Sequence, residues 1–141
     1  MDDVRKSYLD LMKKCLTDII YADKQEQPSI IAAVMPSSRY ENEKRINGMD
    51  WPSYAHTMIG MKRLDNIQFC VEDVIRRKIP GDLIETGVWR GGATIFMRAI
   101  LKAYSITDRS VWVADSFIGL PPPNPELYPA DLGDGHHQIK E

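Results

Sequence analysis

Glu85 and Asp115 each close a short apolar run, and the stretch Glu85-Thr86-Gly87-Val88-Trp89-Arg90-Gly91-Gly92 follows the first of them. A strand that runs through a glycine turn into a helix exposes backbone N–H groups at the helix start, and these attract a negatively charged ligand group. Gly87 lets the chain leave the strand tightly, and the Gly91-Gly92 pair lets a ligand come close to the backbone. An acid at the end of the next strand is placed to accept hydrogen bonds from both ribose hydroxyls of an adenosine-containing cofactor, which is the expected role of Asp115. Nicotinamide enzymes share this plan, so the spacing has to discriminate. A dinucleotide site wants G-x-G-x-x-G so that the pyrophosphate lies over bare backbone, whereas Trp89 stands here at the second glycine position and its indole obstructs a pyrophosphate. Glu85 suits instead a cofactor that carries an ammonium group and a sulfonium, since a carboxylate beside those cations is favoured in a partly dehydrated cleft. Arg90 then becomes a candidate for the cofactor's carboxylate. The alternatives are a solvated Arg90 and a Trp89 packed on a neighbouring helix.

The elements that must position these groups are legible from periodicity. Leu83-Ile84-Glu85-Thr86 and Val111-Trp112-Val113-Ala114 are short β-prone runs, and the second lacks alternation, as expected of a parallel strand covered on both sides. Between them Ala93 to Tyr104 has helical spacing, with Ile95, Phe96, Ala99, Ile100 and Ala103 on one face. Strand, glycine turn, helix and strand make a βαβ unit. Upstream, Thr57 to Lys78 is expected as a helix that Pro80 and Gly81 stop, with Arg76, Arg77 and Lys78 complementing its dipole. Val4, Tyr8, Leu11, Met12, Cys15, Leu16, Ile19 and Ile20 recur at three- and four-residue steps and predict an N-terminal amphipathic helix with one buried face, used in the core or in a dimer. Pro28 marks a linker. Met35 to Trp51, with the charged cluster Arg39 to Arg45, is expected as a long, exposed, irregular loop of the kind that often serves as a lid. The Pro-rich tail from Gly119 is expected to lack regular structure.

The chain has 141 residues, enough for one compact domain, and 18 basic against 20 acidic residues give a net charge of -2 with no long run of one sign. Nucleic acid is therefore an unfavoured partner. No secretory leader and no apolar run near the roughly 20 residues of a membrane span is visible, so a cytoplasmic protein is expected. Cys15 and Cys70 are expected as reduced core thiols rather than a disulfide or metal pair.

Three runs together resemble a known family. Asp50-Trp51-Pro52-Ser53-Tyr54-Ala55-His56-Thr57-Met58-Ile59-Gly60, Leu83 through Thr94, and Val113-Ala114-Asp115-Ser116-Phe117-Ile118-Gly119-Leu120-Pro121 look like macrocin O-methyltransferases, which methylate sugar hydroxyls of macrolide antibiotics. The likeness spans roughly Tyr8 to Asp134. It implies an α/β fold, the N-terminal part of a Rossmann-like, mostly parallel-sheet methyltransferase domain preceded by helices. Residues 1–80 would then be a helical and loop region for dimerisation, lid and acceptor contacts, and 81–141 an incomplete S-adenosylmethionine-binding unit. By resemblance, Glu85, Thr86, Gly87, Trp89, Arg90, Gly91, Gly92, Asp115 and Ser116 would hold S-adenosylmethionine, with Thr57 and Met58 near cofactor and acceptor. Thr57 as a helix cap and Met58 as a core residue are the alternatives.

The family also uses magnesium, whose ligands belong to later motifs, an Asp-Gly-Asp segment and an Asp-Asp pair that follow further strands, and this sequence lacks those motifs. Asp131, Asp134, His136 and His137 could ligate a metal in principle but have no metal spacing, and a solvated tail is the reading adopted for them. No catalytic residue is assigned. The expectation is a truncated methyltransferase acting as a homo-oligomer on a small molecule. A non-catalytic cofactor-binding or dimerising module is the alternative, and a nicotinamide-dependent oxidoreductase fragment a weaker one. Two parallel strands leave open edges and apolar surface, so low stability and aggregation are predicted for the isolated chain. A cooperative thermal unfolding transition of a monomer would contradict this.

Overall fold

The computed structural model describes residues 2–24, 41–52, 54–119 and 121–132. In chain order these form helix α1 (Asp2–Leu16), a 3₁₀ segment (Ile19–Lys24), helix α2 (Asn42–Asn47), helix α3 (Met61–Arg76), strand β1 (Leu83–Thr86), helix α4 (Gly92–Ala103), strand β2 (Val111–Ala114) and a 3₁₀ turn (Pro129–Asp131). Strands β1 and β2 pair in parallel, Leu83 opposite Val111 and Thr86 opposite Ala114, so Glu85 and Asp115 emerge at the same end of the sheet. The Pro28 linker, the segment 35–40 and the tail beyond residue 132 lie outside the described residues.

Helix α4 is the centre of the packing because most of its circumference is apolar. Phe96, Met97, Ala99, Ile100 and Leu101 are buried, and α1, α3 and both strands pack around them. The expected helix is found one residue earlier at each end, and Ile95, expected on the buried face, is 43% exposed. Leu9 and Leu16 from α1 and Leu64 and Val71 from α3 complete one hydrophobic cluster with α4. Residues on both sides of position 80 therefore share a core. Two cations tie α1 into it. The Lys13 ammonium, buried, lies 2.5 Å from Asp65 of α3 and 5.8 Å from the Phe96 ring centre, and Arg5 lies 4.1 Å from the Tyr104 ring centre while its Nε donates to the Ala103 carbonyl.

Several expectations are corrected. In α1 the buried residues are Leu9, Lys13 and Leu16, whereas Val4, Tyr8, Leu11 and Cys15 are exposed. The apolar positions are spread over an arc too wide for one neighbour, so the expected single stripe divides into two faces. Cys70 is exposed as well, so neither cysteine is a core thiol, although both are free. Helix α3 starts at Met61 rather than Thr57, with Gly60 at its N-cap. The sheet is covered on one side only. Ile84 is 62% and Trp112 59% exposed, against the expectation of a strand buried on both faces.

The expected irregular loop contains α2, and the reason is a buried arginine. Arg45 is 1% exposed; its Nη1 lies 3.1 Å from the Asp50 carboxylate and its Nη2 donates to the Met58 carbonyl at 2.6 Å. Burial pushes the Asp50 carboxyl up more strongly than Arg45 pulls it down. Two glycines make the approach of α2 to α3 possible: a Cβ on Gly60 would stand 2.3 Å from the Gly48 nitrogen and 2.3 Å from the Ile46 carbonyl oxygen. The backbones touch where side chains would be. Gly60→Ala is expected to lower stability by about 1–3 kcal/mol, since the atoms in the way are backbone and cannot step aside. Denaturant midpoints of the two proteins measure it.

Candidate functional site

The turn after β1 is built by three glycines for two reasons, conformation and space. Gly87 has φ +77° and open space around its Cβ position, so it is required by conformation. Its N–H donates to the Ala114 carbonyl at 2.9 Å, which carries the ladder one step beyond the strands. Gly91 has φ +78° and stands at the N-cap of α4. Gly92 is required by space: a Cβ there would lie 2.3 Å from the His56 carbonyl oxygen and 2.6 Å from the Thr57 Cβ. What comes close at Gly92 is thus the protein's own chain. The Gly92 N–H donates to the His56 carbonyl at 2.8 Å and the Gly91 N–H to the Val88 carbonyl at 2.9 Å, so these two helix-start donors are already engaged.

Residues 55–58 form a strap held at five points. The His56 N–H donates to the Leu16 carbonyl at the end of α1, and the His56 carbonyl accepts from Gly92. The Ala55 carbonyl accepts from Arg90 Nη1 at 3.1 Å, and the Met58 carbonyl from Arg45. Thr57 is buried, and its Oγ1 accepts the Ile59 N–H at 3.3 Å, so it caps a turn ahead of α3 rather than α3 itself. Thr57 accordingly sits beside the start of α4, next to the glycine turn, while the Met58 carbonyl faces Arg45 and Gly48.

The two acids converge on this turn from opposite ends. The half-buried Glu85 accepts a hydrogen bond from Thr94 Oγ1 in the first turn of α4. Asp115 Oδ2 accepts the Val88 N–H at 2.6 Å, and Oδ1 accepts the Phe117 N–H at 3.1 Å and the Ser116 hydroxyl at 3.4 Å. The Val88 N–H first, and then that of Phe117, hold the Asp115 carboxyl below the usual carboxylate range, so it is ionised at neutral pH. These bonds hold the exposed Asp115 carboxylate at the mouth of the turn. Ser116 also donates to the Gly119 carbonyl at 3.0 Å. Thr86, at the end of β1, is exposed.

Trp89 stands at φ +48°, a left-handed backbone that a bulky residue rarely adopts. Its ring meets Trp51 edge to face with centroids 6.4 Å apart, and the Arg90 guanidinium lies 4.3 Å from its centre. Trp89 packs on the segment ahead of the strap rather than on a helix. Arg90, exposed to solvent, bridges Trp89 and the strap. Sequence reasoning did not single out Trp51, Arg45 or Thr94; a threonine in the first turn of α4 is a local signal for a partner of Glu85, but nothing local marks the other two. A cavity of about 460 Å³, lined by Phe69, Glu72, Asp73, Ile75, Arg76 and Tyr104, lies toward the opposite end of α4 and includes none of the expected site residues. Among the described residues no group of three or more His, Cys, Asp or Glu could hold a metal ion, and no helix is long and apolar enough to cross a membrane.

A glycine turn between two parallel strands, a helix launched from it and an acid closing the second strand define a βαβ unit of a Rossmann-like domain. The family description Macrocin-O-methyltransferase (TylF) matches residues 5–141, and the chain belongs to that family of O-methyltransferases. It is 55% identical over 120 residues to the 8-demethyl-8-(2,3-dimethoxy-alpha-L-rhamnosyl)-tetracenomycin-C 4'-O-methyltransferase of Streptomyces olivaceus, covering 85% of this chain and 44% of that protein. It is 49% identical over 134 residues to the mycinamicin III 3''-O-methyltransferase of Micromonospora griseorubida, covering 95% and 51%. The fold is similar to that of the O-methyltransferase NovP, with a TM-score of 0.73 and 52% identity over 85% of this chain and 46% of that one. The chain spans about half the length of the curated relatives it matches.

The lowered position of Asp115 sets a pH dependence. A carboxyl whose folded-state value is depressed adds stability that is complete above the ordinary carboxylate range and disappears as pH falls through the folded value. The tie from Asp115 to the Val88 turn should therefore hold at neutral pH and loosen in acid, below the range where free aspartates titrate. Tryptophan fluorescence, which reads Trp89 beside this turn, should show that acid transition in the wild type, and Asp115→Asn should remove it.

Proposed function

We propose that this chain is the cofactor-binding half of an S-adenosylmethionine-dependent O-methyltransferase that acts, as a cytoplasmic homo-oligomer, on a sugar hydroxyl of a natural product. The single observation that carries the reading is the convergence of Glu85 and the ionised Asp115 on the ends of one glycine turn, at the carboxyl end of a parallel strand pair. Ligands of open α/β sheets sit at that end. Family membership supports the cofactor, and the activities of the relatives, methylation at sugar positions of antibiotics, support the acceptor class.

S-adenosylmethionine supplies a methyl group made electrophilic by its sulfonium. The residues of this chain bind and orient. Asp115 accepts the ribose hydroxyls, with Ser116 fixing the loop that follows. Glu85 and Thr86 face the cationic end of the cofactor, and Gly87 and Gly91 shape the turn beneath it. Gly92 seats the strap that brings Thr57 and Met58 to the same rim. Trp89 and Arg90 form its wall, with Arg90 as the candidate for the cofactor carboxylate. Magnesium finds no donor set among the described residues, and no step is assigned through it. In this reading residues 1–80 supply the strap and the oligomer contacts and 81–141 supply the cofactor unit.

Calorimetric titration with S-adenosylmethionine and, separately, NAD tests the proposal. S-adenosylmethionine should bind and NAD should not. Asp115→Ala should weaken S-adenosylmethionine by about ten- to a hundredfold, the loss of one or two hydrogen bonds to a charged group. Tighter binding of NAD, or an Asp115→Ala protein that binds as well as the parent, would overturn it.

A further inference from the structure

Strand alternation puts Glu85 on the less favourable side of β1 for an acid. Leu83 and Glu85 share one half-buried face, while Ile84 and Thr86 are exposed on the other, and Leu83 packs against the hydrophobic cluster around α4. A carboxylate on a half-buried face needs a hydrogen-bond donor. It receives one from Thr94, which the first turn of α4 brings to the end of the strand. A hydroxyl has a single hydrogen to give, and Thr94 gives it to Oε2 of Glu85.

The kind of donor points beyond a clamp. A lysine or arginine at this place would hold the carboxylate as well and cancel its charge. A neutral hydroxyl fixes the group and leaves the charge for another partner, since it takes one of about four lone-pair sites. Among the described residues no lysine or arginine pairs with Glu85. Helix α4 has no acid in its own first turn, so the anion that its N-terminus favours is Glu85, delivered from the strand. A loose glutamate side chain would have to be ordered at the moment of binding, and Thr94 orders it beforehand. We infer that Thr94 is a positioning residue for cofactor binding: its hydroxyl orients Glu85 toward the cationic end of the cofactor and so sets the preference of the site for a charged nucleoside over a neutral one. The inference rests on the S-adenosylmethionine reading above, and Thr94 acts on the cofactor only through Glu85.

Calorimetric titration of the 141-residue chain with S-adenosylmethionine and with 5'-methylthioadenosine, which keeps the nucleoside and the sulfur but carries no charge, reads that preference as a ratio of affinities. Thr94→Val keeps the shape of the side chain and removes the hydroxyl. It should lower the ratio about three- to tenfold, the cost of ordering one long side chain on binding. Thr94→Ser should restore it. In a Glu85→Gln background, which has no charge to orient, Thr94→Val should lower the ratio no further, as for two residues that act as one unit. Circular dichroism and the thermal midpoint report whether each variant folds, and Thr94→Ala takes the place of the valine variant should that one fail to. A ratio unchanged by loss of the hydroxyl, a loss that serine does not restore, or equal losses in the Glu85 and Glu85→Gln backgrounds would overturn the inference and leave S-adenosylmethionine binding standing. A parent chain that binds no S-adenosylmethionine would overturn both.

Discussion

The Gly92 N–H donating to the His56 carbonyl joins the two parts of this chain. On one side of it lies the first turn of α4, which fixes the glycine loop and β1. On the other, one residue serves two masters: the His56 N–H reaches the end of α1 through the Leu16 carbonyl. The bond is short because nothing lies between the backbones, and nothing lies between them because position 92 has no Cβ. From that contact follow the position of Ala55 under Arg90, of Met58 under Arg45, and hence of α2 on α3. A helix start that receives a carbonyl from elsewhere in the chain has its dipole partly satisfied internally. The cofactor binding proposed at this turn would therefore rest less on the Gly91 and Gly92 N–H groups, which are engaged, and more on the acids and the loop.

Those acids act structurally before they act on any ligand. Asp115 ties the end of β2 to the first residue of the turn, and Glu85 ties the end of β1 to the first turn of α4. At the other end of the sheet Asp82 does the equivalent, accepting from the Ser110 N–H at 2.9 Å and the Trp112 indole at 2.7 Å, and these two bonds, in that order, hold its carboxyl low. A two-stranded sheet is marginal on its own. Here each end of the pair is clamped by a carboxylate bonded to the neighbouring strand or turn, and one face rests on α4.

Much of the architecture could be read from periodicity. The three longer helices, both strands, their parallel sense and the glycine turn with its flanking acids are visible because each is a local pattern of residue types. The errors fall where the deciding partner is distant in sequence. Arg45 sits in a charged cluster and looks solvated; only the Met58 carbonyl and Asp50 make its burial tolerable, and with it α2. Gly48 and Gly60 look like loop residues, and their purpose appears only where the two backbones meet. Leu9 escaped the stripe read along α1 because more positions were apolar than one face can hold. At Gly92 the sequence does not show the strap, since a glycine that admits a ligand and one that admits the protein's own chain are the same letter.

Trp89 shows how such a loop can hold a strained residue. A left-handed backbone costs a non-glycine residue roughly 1–2 kcal/mol, and glycines on either side of the turn, Gly87 and Gly91, take up the same conformation without that cost. Two contacts offset it: the edge of Trp51, and the Arg90 guanidinium over the ring, each of a kind that contributes about 0.5–1.5 kcal/mol. Arg90 in turn holds the Ala55 carbonyl. The strain at one residue is thus met by partners from the segment on either side of position 53 and from the turn itself, so the shape of the rim and the seating of the strap are settled together.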